Sequence, residues 1–282
     1  MIDTQSYEIA HGWASCRCHK VVQHFHKSVD AALLMIVMTA RYAIYFVPDA
    51  KSPLWAFGTR VLGCDAYNGQ IVPFYSELTS RYKDWGKCVQ APATYGFHAT
   101  LKAPFRLALG RTEGELLAAV SATAANLPQI TLGYLRAKMV DRHVALRPET
   151  LPSDLQVLEA GLVTRLDEFR AQLIKSDITR RQPDTLSHRQ LEHLMAWGYP
   201  FCLEEFRFHM TLAGPLQDEY RKKVLNTLSD LYEPSNEPVR ISDVALVKQL
   251  SASSPFFVMK KFQLSDAEHV GLVNSTFVLS HR

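Results

Sequence analysis

One string of eight residues occurs twice in this chain. Residues 97–104 read Phe-His-Ala-Thr-Leu-Lys-Ala-Pro and residues 208–215 read Phe-His-Met-Thr-Leu-Ala-Gly-Pro, alike at five of eight positions, with the histidines 111 residues apart. A duplicated string constrains the fold because both copies must satisfy the same local geometry. If each is a β-strand, side chains alternate faces with a period of two. Phe97, Ala99 and Leu101 then face a core, and His98, Thr100 and Lys102 face away from it. In the second copy Phe206, Phe208, Met210 and Leu212 share the buried face, and Arg207, His209 and Thr211 the open one. Two such strands side by side bring two imidazoles, two hydroxyls and two cations to one groove.

The surroundings repeat as well. Thr112-Glu113-Gly114-Glu115 is a capping box that predicts a helix to about Leu127, followed by strands over 129–140 and 143–147 with a tight turn at Asp141-Arg142. After the second string a helix is predicted over 217–232, then strands over 239–250 and 256–264. The order of string, helix, strand, strand thus appears at 96–147 and again at 206–264. A unit too small to cover its own sheet pairs with its copy around a shared cleft. The predicted class is α+β: one bilobal, duplicated domain over 38–264, with lobes of about 38–150 and 151–264. Two antiparallel sheets line its central groove and helices lie outside.

The remaining segments fill in this plan. Residues 41–47 are rich in β-branched and aromatic side chains and predict a strand. Ser52-Pro53 starts a helix over 54–62 that Gly63 ends. Residues 64–94 read mainly as loop with a short helix. Leu155, Leu158, Leu162, Leu166, Phe169 and Leu173 recur at helical spacing after Ser153 and predict a long helix with a packing face. Residues 175–184 read as a charged, exposed connection. Ser187 with Gln190 caps a helix that runs to Trp197 and stops at Gly198. Residues 1–37 are polar and aperiodic, so a poorly ordered extension is expected there, with the folded part starting near Met38. Residues 265–282 are expected to be a tail.

Composition limits the partners. There are 31 basic and 28 acidic residues, a net charge of +3. That balance argues against strong nonspecific binding to nucleic acid and leaves room for a local basic groove. Five scattered cysteines, an odd number, imply no disulfide framework and suit a reducing, cytoplasmic setting. No apolar run approaches the roughly 20 residues needed to span a bilayer. Cys16, Cys18, His19, His24 and His26 are spaced as Cys-x-Cys and His-x-His, unlike the wider ligand spacing of zinc sites, so neither a metal nor another cofactor is expected.

Two histidines facing one groove suit acid–base chemistry on a phosphodiester. Imidazole titrates near pH 6.5, so one ring can be neutral while the other is protonated. Either ring could take the nucleophile's proton, the other returning one to the leaving alkoxide. Thr100 and Thr211 can donate to phosphate oxygens, and Lys102 and Arg207 can add positive charge. His143, His188 and His193 have no counterpart in the repeat and are read as surface or capping residues. Tyr42 and Tyr45 fall on opposite strand faces, so one at most lines the groove. Cys88 and Cys202 are read as structural.

The paired His-x-Thr strings, each in one half of a duplicated unit, resemble the two-histidine (2H) phosphoesterase superfamily. Its members include 2′,3′-cyclic nucleotide phosphodiesterases and proteins like the 2′-5′ RNA ligases. Residues 95–105 and 205–216, with Arg-Tyr-Ala-Ile-Tyr-Phe-Val-Pro at 41–48, resemble a bacterial branch encoded with phosphonate-degradation genes. The similarity spans about 39–264. It implies His98 and His209 as the catalytic pair, Thr100 and Thr211 as phosphate-binding residues, and a small cyclic or ribosyl phosphodiester as substrate. Lys102 and Arg207 lie outside the superfamily motif and rest on strand parity alone. RNA-end processing by the same chemistry is a second reading, which the balanced charge disfavours. A phosphosugar- or nucleotide-binding protein without turnover is a third. Oligomeric state is left open.

Overall fold

Strong local signals shape much of the chain. The computed structural model describes residues 40–232 and 238–266. The expectations for 1–37 and for all of the tail beyond Asp266 lie outside the described residues. Ser52 caps helix α1 (Pro53–Leu62) by accepting from Trp55 N–H, and Gly63 closes it at φ +76°. The Thr112 box opens α4 (Glu113–Ala124), and the Ser187–Gln190 box opens α7 (His188–Trp197), which Gly198 ends. Each cap occupies backbone groups that a helix end leaves unpaired, contributing about 1 kcal/mol.

The segment 64–94 holds more helix than its sequence suggests: α2 (Ser76–Arg81) and α3 (Trp85–Ala93). Both are short and lack side-chain caps. They are held by burial of Leu78, Trp85 and Val89, with Trp85 Nε1 donating to Val61 O at 2.9 Å. Tertiary packing, not local propensity, makes them helical. The leucine stripe forms α5 (Ser153–Arg165), buried at Leu155, Leu158 and Leu162. It tightens into a 3₁₀ turn at Asp167–Phe169, so Leu173 lies beyond the helix. The supposed connection after it contains α6 (Lys175–Arg180).

The strands are β1 (Arg41–Phe46), β2 (Ala99–Phe105), β3 (Ile130–Gly133), β4 (Leu135–Val140), β5 (His143–Pro148), β6 (Met210–Ala213), β7 (Val239–Ile241), β8 (Asp243–Gln249) and β9 (Phe257–Gln263). Helix α8 (Asp218–Leu231) follows β6. All pairings between these strands are antiparallel, so the class is α+β as predicted. One sheet runs β2-β1-β8-β9, a second β4-β5-β6, and β3 pairs with β7. The predicted strands 129–140 and 239–250 are each two strands in two different sheets. Gly133, at φ +77°, makes the first break, and Ser242 marks the second.

This topology corrects the expected lobes. The larger sheet takes β1 and β2 from the first half of the chain and β8 and β9 from the second. The smaller takes β4 and β5 from the first half and β6 from the second. Neither sheet is therefore built from 38–150 or from 151–264 alone. The physical reason is edge satisfaction: a short strand such as β6 leaves backbone groups unpaired unless it joins a neighbour, and its neighbour is β5. Both duplicated strings form edge strands, β2 in one sheet and β6 in the other. Among the described residues, no helix is long and apolar enough to cross a membrane.

Candidate active site

The two strings position their histidines by the same local device. His98 immediately precedes β2 and His209 immediately precedes β6. Phe97, Ala99 and Leu101 in one copy, and Phe208, Met210 and Leu212 in the other, are buried in the core. The alternate residues His98, Thr100, His209 and Thr211 are half-buried and face a common cavity. The Nδ1 of His98 lies 2.9 Å from Gly96 O, and that of His209 lies 2.7 Å from Arg207 O. A carbonyl only accepts, so each Nδ1 carries the hydrogen and each neutral ring keeps its Nε2 lone pair. Thr100 Oγ1 is 3.2 Å from His98 Nε2 and donates to it.

Packing behind His98 fixes the ring. Tyr45 on β1 stacks on it at 3.8 Å between ring centroids, 23° from parallel. Phe97 is seated against Gly58 of α1, where a Cβ would lie 2.1 Å from the Phe97 ring. Alanine in a helix interior ordinarily stabilises by about 0.5–1 kcal/mol over glycine. Here Gly58→Ala is expected to destabilise by about 1–3 kcal/mol through overpacking. Thermal unfolding reads the sign directly, and a raised midpoint would refute the contact.

The cavity measures about 380 Å³, large enough for a small phosphosugar or nucleotide. Its walls include Tyr95, Trp197, Tyr199, Phe201 and Phe206, with Arg181 and Arg207 among the cations. Burial lowers the pKa of both catalytic candidates. His98 is pushed down to about 4 by burial, partly offset by the Gly96 carbonyl, with the charge of His209 adding to the fall. His209 is lowered by burial, against the Arg207 carbonyl, and further by Arg147, while Asp141 opposes the shift. The acid–base reading needs one neutral and one protonated ring at its working pH; at neutral pH these environments favour the neutral form of both.

Lys102 lines the cavity, as strand parity had it, but its ammonium is engaged within the fold. Tyr45 pairs with Thr100 but the next residue back, Ile44, pairs with Lys102, so β2 carries one extra residue at this point. That bulge interrupts the pairing with β1 between Thr100 and Lys102. Its side chain is 3 % exposed, and its ammonium donates to Val163 O at 2.8 Å and to Asp167 Oδ1 at 3.2 Å. The charge is spent inside the fold. Arg207 is exposed at the groove, as strand parity had it.

Several groove residues had no signal in the sequence. His143, read as a surface residue, opens β5 and lines the cavity. Burial lowers its pKa, as does the charge of His209. A Cβ at Gly214 would lie 2.6 Å from its Cδ2, so the second string packs directly on it. Glu159 of α5 is buried at the inner wall, accepts from Leu203 N–H at 3.0 Å, and is pushed up to about 8 by burial. Held protonated, it places no negative charge against an anionic ligand. Arg181, Trp197, Tyr199, Phe201 and Phe206 all come from residues 181–206, and the fold brings that stretch to Tyr95. Among the described residues, no group of three or more His, Cys, Asp or Glu side chains is arranged to hold a metal ion. Cys16, Cys18, His19, His24 and His26 lie outside the described residues.

Comparison with known proteins gives a family match over residues 100–257, more than half of the chain, to a family described as a protein of unknown function (DUF1045). Two curated relatives carry the name ribose 1,5-bisphosphate phosphokinase PhnN. That of Janthinobacterium sp. (strain Marseille) is 34% identical over 186 residues, 62% of this chain and 39% of the relative. That of Laribacter hongkongensis (strain HLHK9) is 35% identical over 181 residues, 63% of this chain and 41% of the relative. The chain spans about two fifths of the length of these relatives. Among solved structures, E. coli LigT complexed with phosphate is similar at a TM-score of 0.43 and 15% identity, covering 81% of this chain and 99% of that one. A solved phosphoesterase gives 0.39 and 17%, covering 80% and 98%.

Proposed function

This chain belongs to the DUF1045 family, and we propose that it is a two-histidine phosphoesterase that hydrolyses a small cyclic or ribosyl phosphodiester. The observation that carries the reading is the matched pair of imidazoles: two rings just before duplicated edge strands, each oriented by its own Nδ1–carbonyl bond, lining one cavity. The curated relatives' printed name supplies a pentose phosphate as the substrate class to try first.

His98 is the general base and His209 the general acid in this proposal. Tyr45 covers one face of the His98 ring, burial favours its neutral form, and Thr100 already donates to its Nε2. Asp141 favours the charged form of His209, and a bound anion would add to that preference. His98 Nε2 takes a proton from water as the oxygen bonds to phosphorus. The bond from phosphorus to the leaving oxygen breaks, and His209 Nε2–H gives its proton to that alkoxide. The products are a phosphate monoester and a free hydroxyl, and exchange with solvent resets both rings. Thr100, released from His98, and Thr211 donate to the non-bridging oxygens, with Arg207 at the rim.

The test is a turnover screen over cyclic nucleotides, cyclic phosphoribose compounds and 2′-5′ oligonucleotides, with and without a chelator. Release of a monoester from a small cyclic phosphate supports the reading. Turnover confined to oligonucleotides favours RNA-end processing, and tight binding with no turnover favours a binding protein. The pH dependence makes a sharper demand. Activity needs neutral His98 and charged His209, so kcat/KM rises through the pKa of His98 and falls through that of His209. Both lie below 6.5 in the free protein. The kcat/KM profile is therefore expected to be a bell with its optimum on the acid side of 6.5. The kcat profile should move toward alkaline pH, since a bound anion raises the pKa of the acid. A flat profile from pH 5 to 9 would sink the pair.

A further inference from the structure

Arg181 caps helix α6 and lines two recesses at once: the cavity of the histidines and a smaller cleft beside it. The cleft is lined by Arg41, Arg106, Arg170, Arg180 and Arg181 against a single carboxylate, Asp177. The charges do not balance. Arg106 and Arg180 pair with Asp177, and Arg170 pairs with Asp167. Arg41 donates to the neutral side chain of Gln249. The guanidinium of Arg181 has no carboxylate among the described residues and lies 4.7 Å over the Tyr199 ring. Among the described residues, Arg41 in the smaller cleft and Arg181 in both recesses thus have no carboxylate partner.

A second observation lies close by: Tyr45 stacks on the His98 ring, which lines the cavity. The Tyr45 side chain is 1 % exposed, and its hydroxyl has no hydrogen-bond partner among the described residues. The groups that act on it electrostatically are Tyr95, Arg41, Tyr199 and Arg181. A half-buried arginine without a counter-ion and a buried hydroxyl without a partner both carry a desolvation cost. An anion bound at Arg181 would offset the first of these costs. Arginine also offers a planar fork matched to phosphate.

We propose that Arg181, supported by Arg41 and Tyr199, forms a second anion subsite of the groove that takes a phosphate monoester carried elsewhere on the substrate. This rests on the phosphodiesterase reading and deepens it: the substrate is a sugar phosphodiester that bears a second phosphate. The histidines act on the diester, and Arg181 selects the molecule.

The test compares a cyclic phosphoribose with and without a phosphate on its 5-hydroxyl. The native protein is expected to prefer the doubly phosphorylated form by about 100-fold in kcat/KM, expressed mainly in KM. Arg181→Met is expected to bring that ratio below about 10, and Arg181→Lys to leave an intermediate value. A native ratio near one, or a ratio that Arg181→Met does not change, overturns the proposal. Calorimetric binding of a pentose bisphosphate against a pentose monophosphate gives a reading that needs no turnover. The bisphosphate should bind at least 10-fold more tightly, and Arg181→Met should abolish the difference. Retained discrimination in binding with no hydrolysis of any diester would defeat the phosphodiesterase reading and keep the subsite. Hydrolysis without discrimination would do the reverse.

Discussion

Alanine at His98 or at His209 is expected to lower kcat by roughly 10²–10⁴-fold, the usual contribution of a positioned general acid or base. The loss should appear in kcat more than in ligand affinity, since each ring makes its decisive contact in the transition state. The double variant is expected to be scarcely slower than the worse single one, because the two proton transfers belong to one displacement. Folding should survive. Both rings are half-buried, and each is tied to the backbone by one hydrogen bond, worth about 1 kcal/mol. Calorimetric titration of a non-hydrolysable analogue should show affinity within about 10-fold of the native protein. Turnover within 10-fold of native in either single variant would remove that histidine from the mechanism.

The second large effect concerns stability. Lys102→Met keeps the aliphatic stem and removes the ammonium from Val163 O and Asp167. Breaking a buried ion pair typically costs about 3–5 kcal/mol because it strands the remaining charge. Here Asp167 keeps Arg170, whose Nε and a terminal nitrogen reach its two oxygens at 2.8 and 2.9 Å. An expected loss of about 2–4 kcal/mol reflects that remaining partner. Urea unfolding measures it, and kcat/KM of the folded protein should stay within about threefold of native. The opposite pattern, native stability with a KM raised 10-fold or more, would return Lys102 to the phosphate role that strand parity had given it.

These two residues show where sequence reading works and where it stops. His98 and Lys102 stand four positions apart on one predicted strand face, and the alternation rule treated them alike. It held for His98 and Thr100, and in the second string for His209 and Thr211, because their buried neighbours fix the register. For Lys102 it gave the cavity wall but not the buried ion pair, because the bulge and the partners Val163 and Asp167 depend on other parts of the chain. The register slip between Ile44 and Tyr45 becomes visible only when β1 is laid against β2. His143 was missed for a related reason. Its place in the groove comes from β5 pairing with β6, whose second string begins some 60 residues later. Helix α7 was legible almost to the residue because a capping box and a terminal glycine are local devices. Helices α2 and α3 were not, because burial in distant parts of the core stabilises them.

What this sequence determined by itself is therefore local and repeated: the caps, the alternation of the two strings, and the two imidazoles that the proposed chemistry uses. Only the tertiary structure decided how the halves interlace and which edge strands lie across one cavity. It also committed Lys102 to the interior and placed Arg181 in the groove. The physical reason is range. Backbone hydrogen bonding and steric alternation act over a few residues and can be read in order. Strand partners, counter-ions and desolvation are set by groups far away in the chain, and they exist only once the chain has closed.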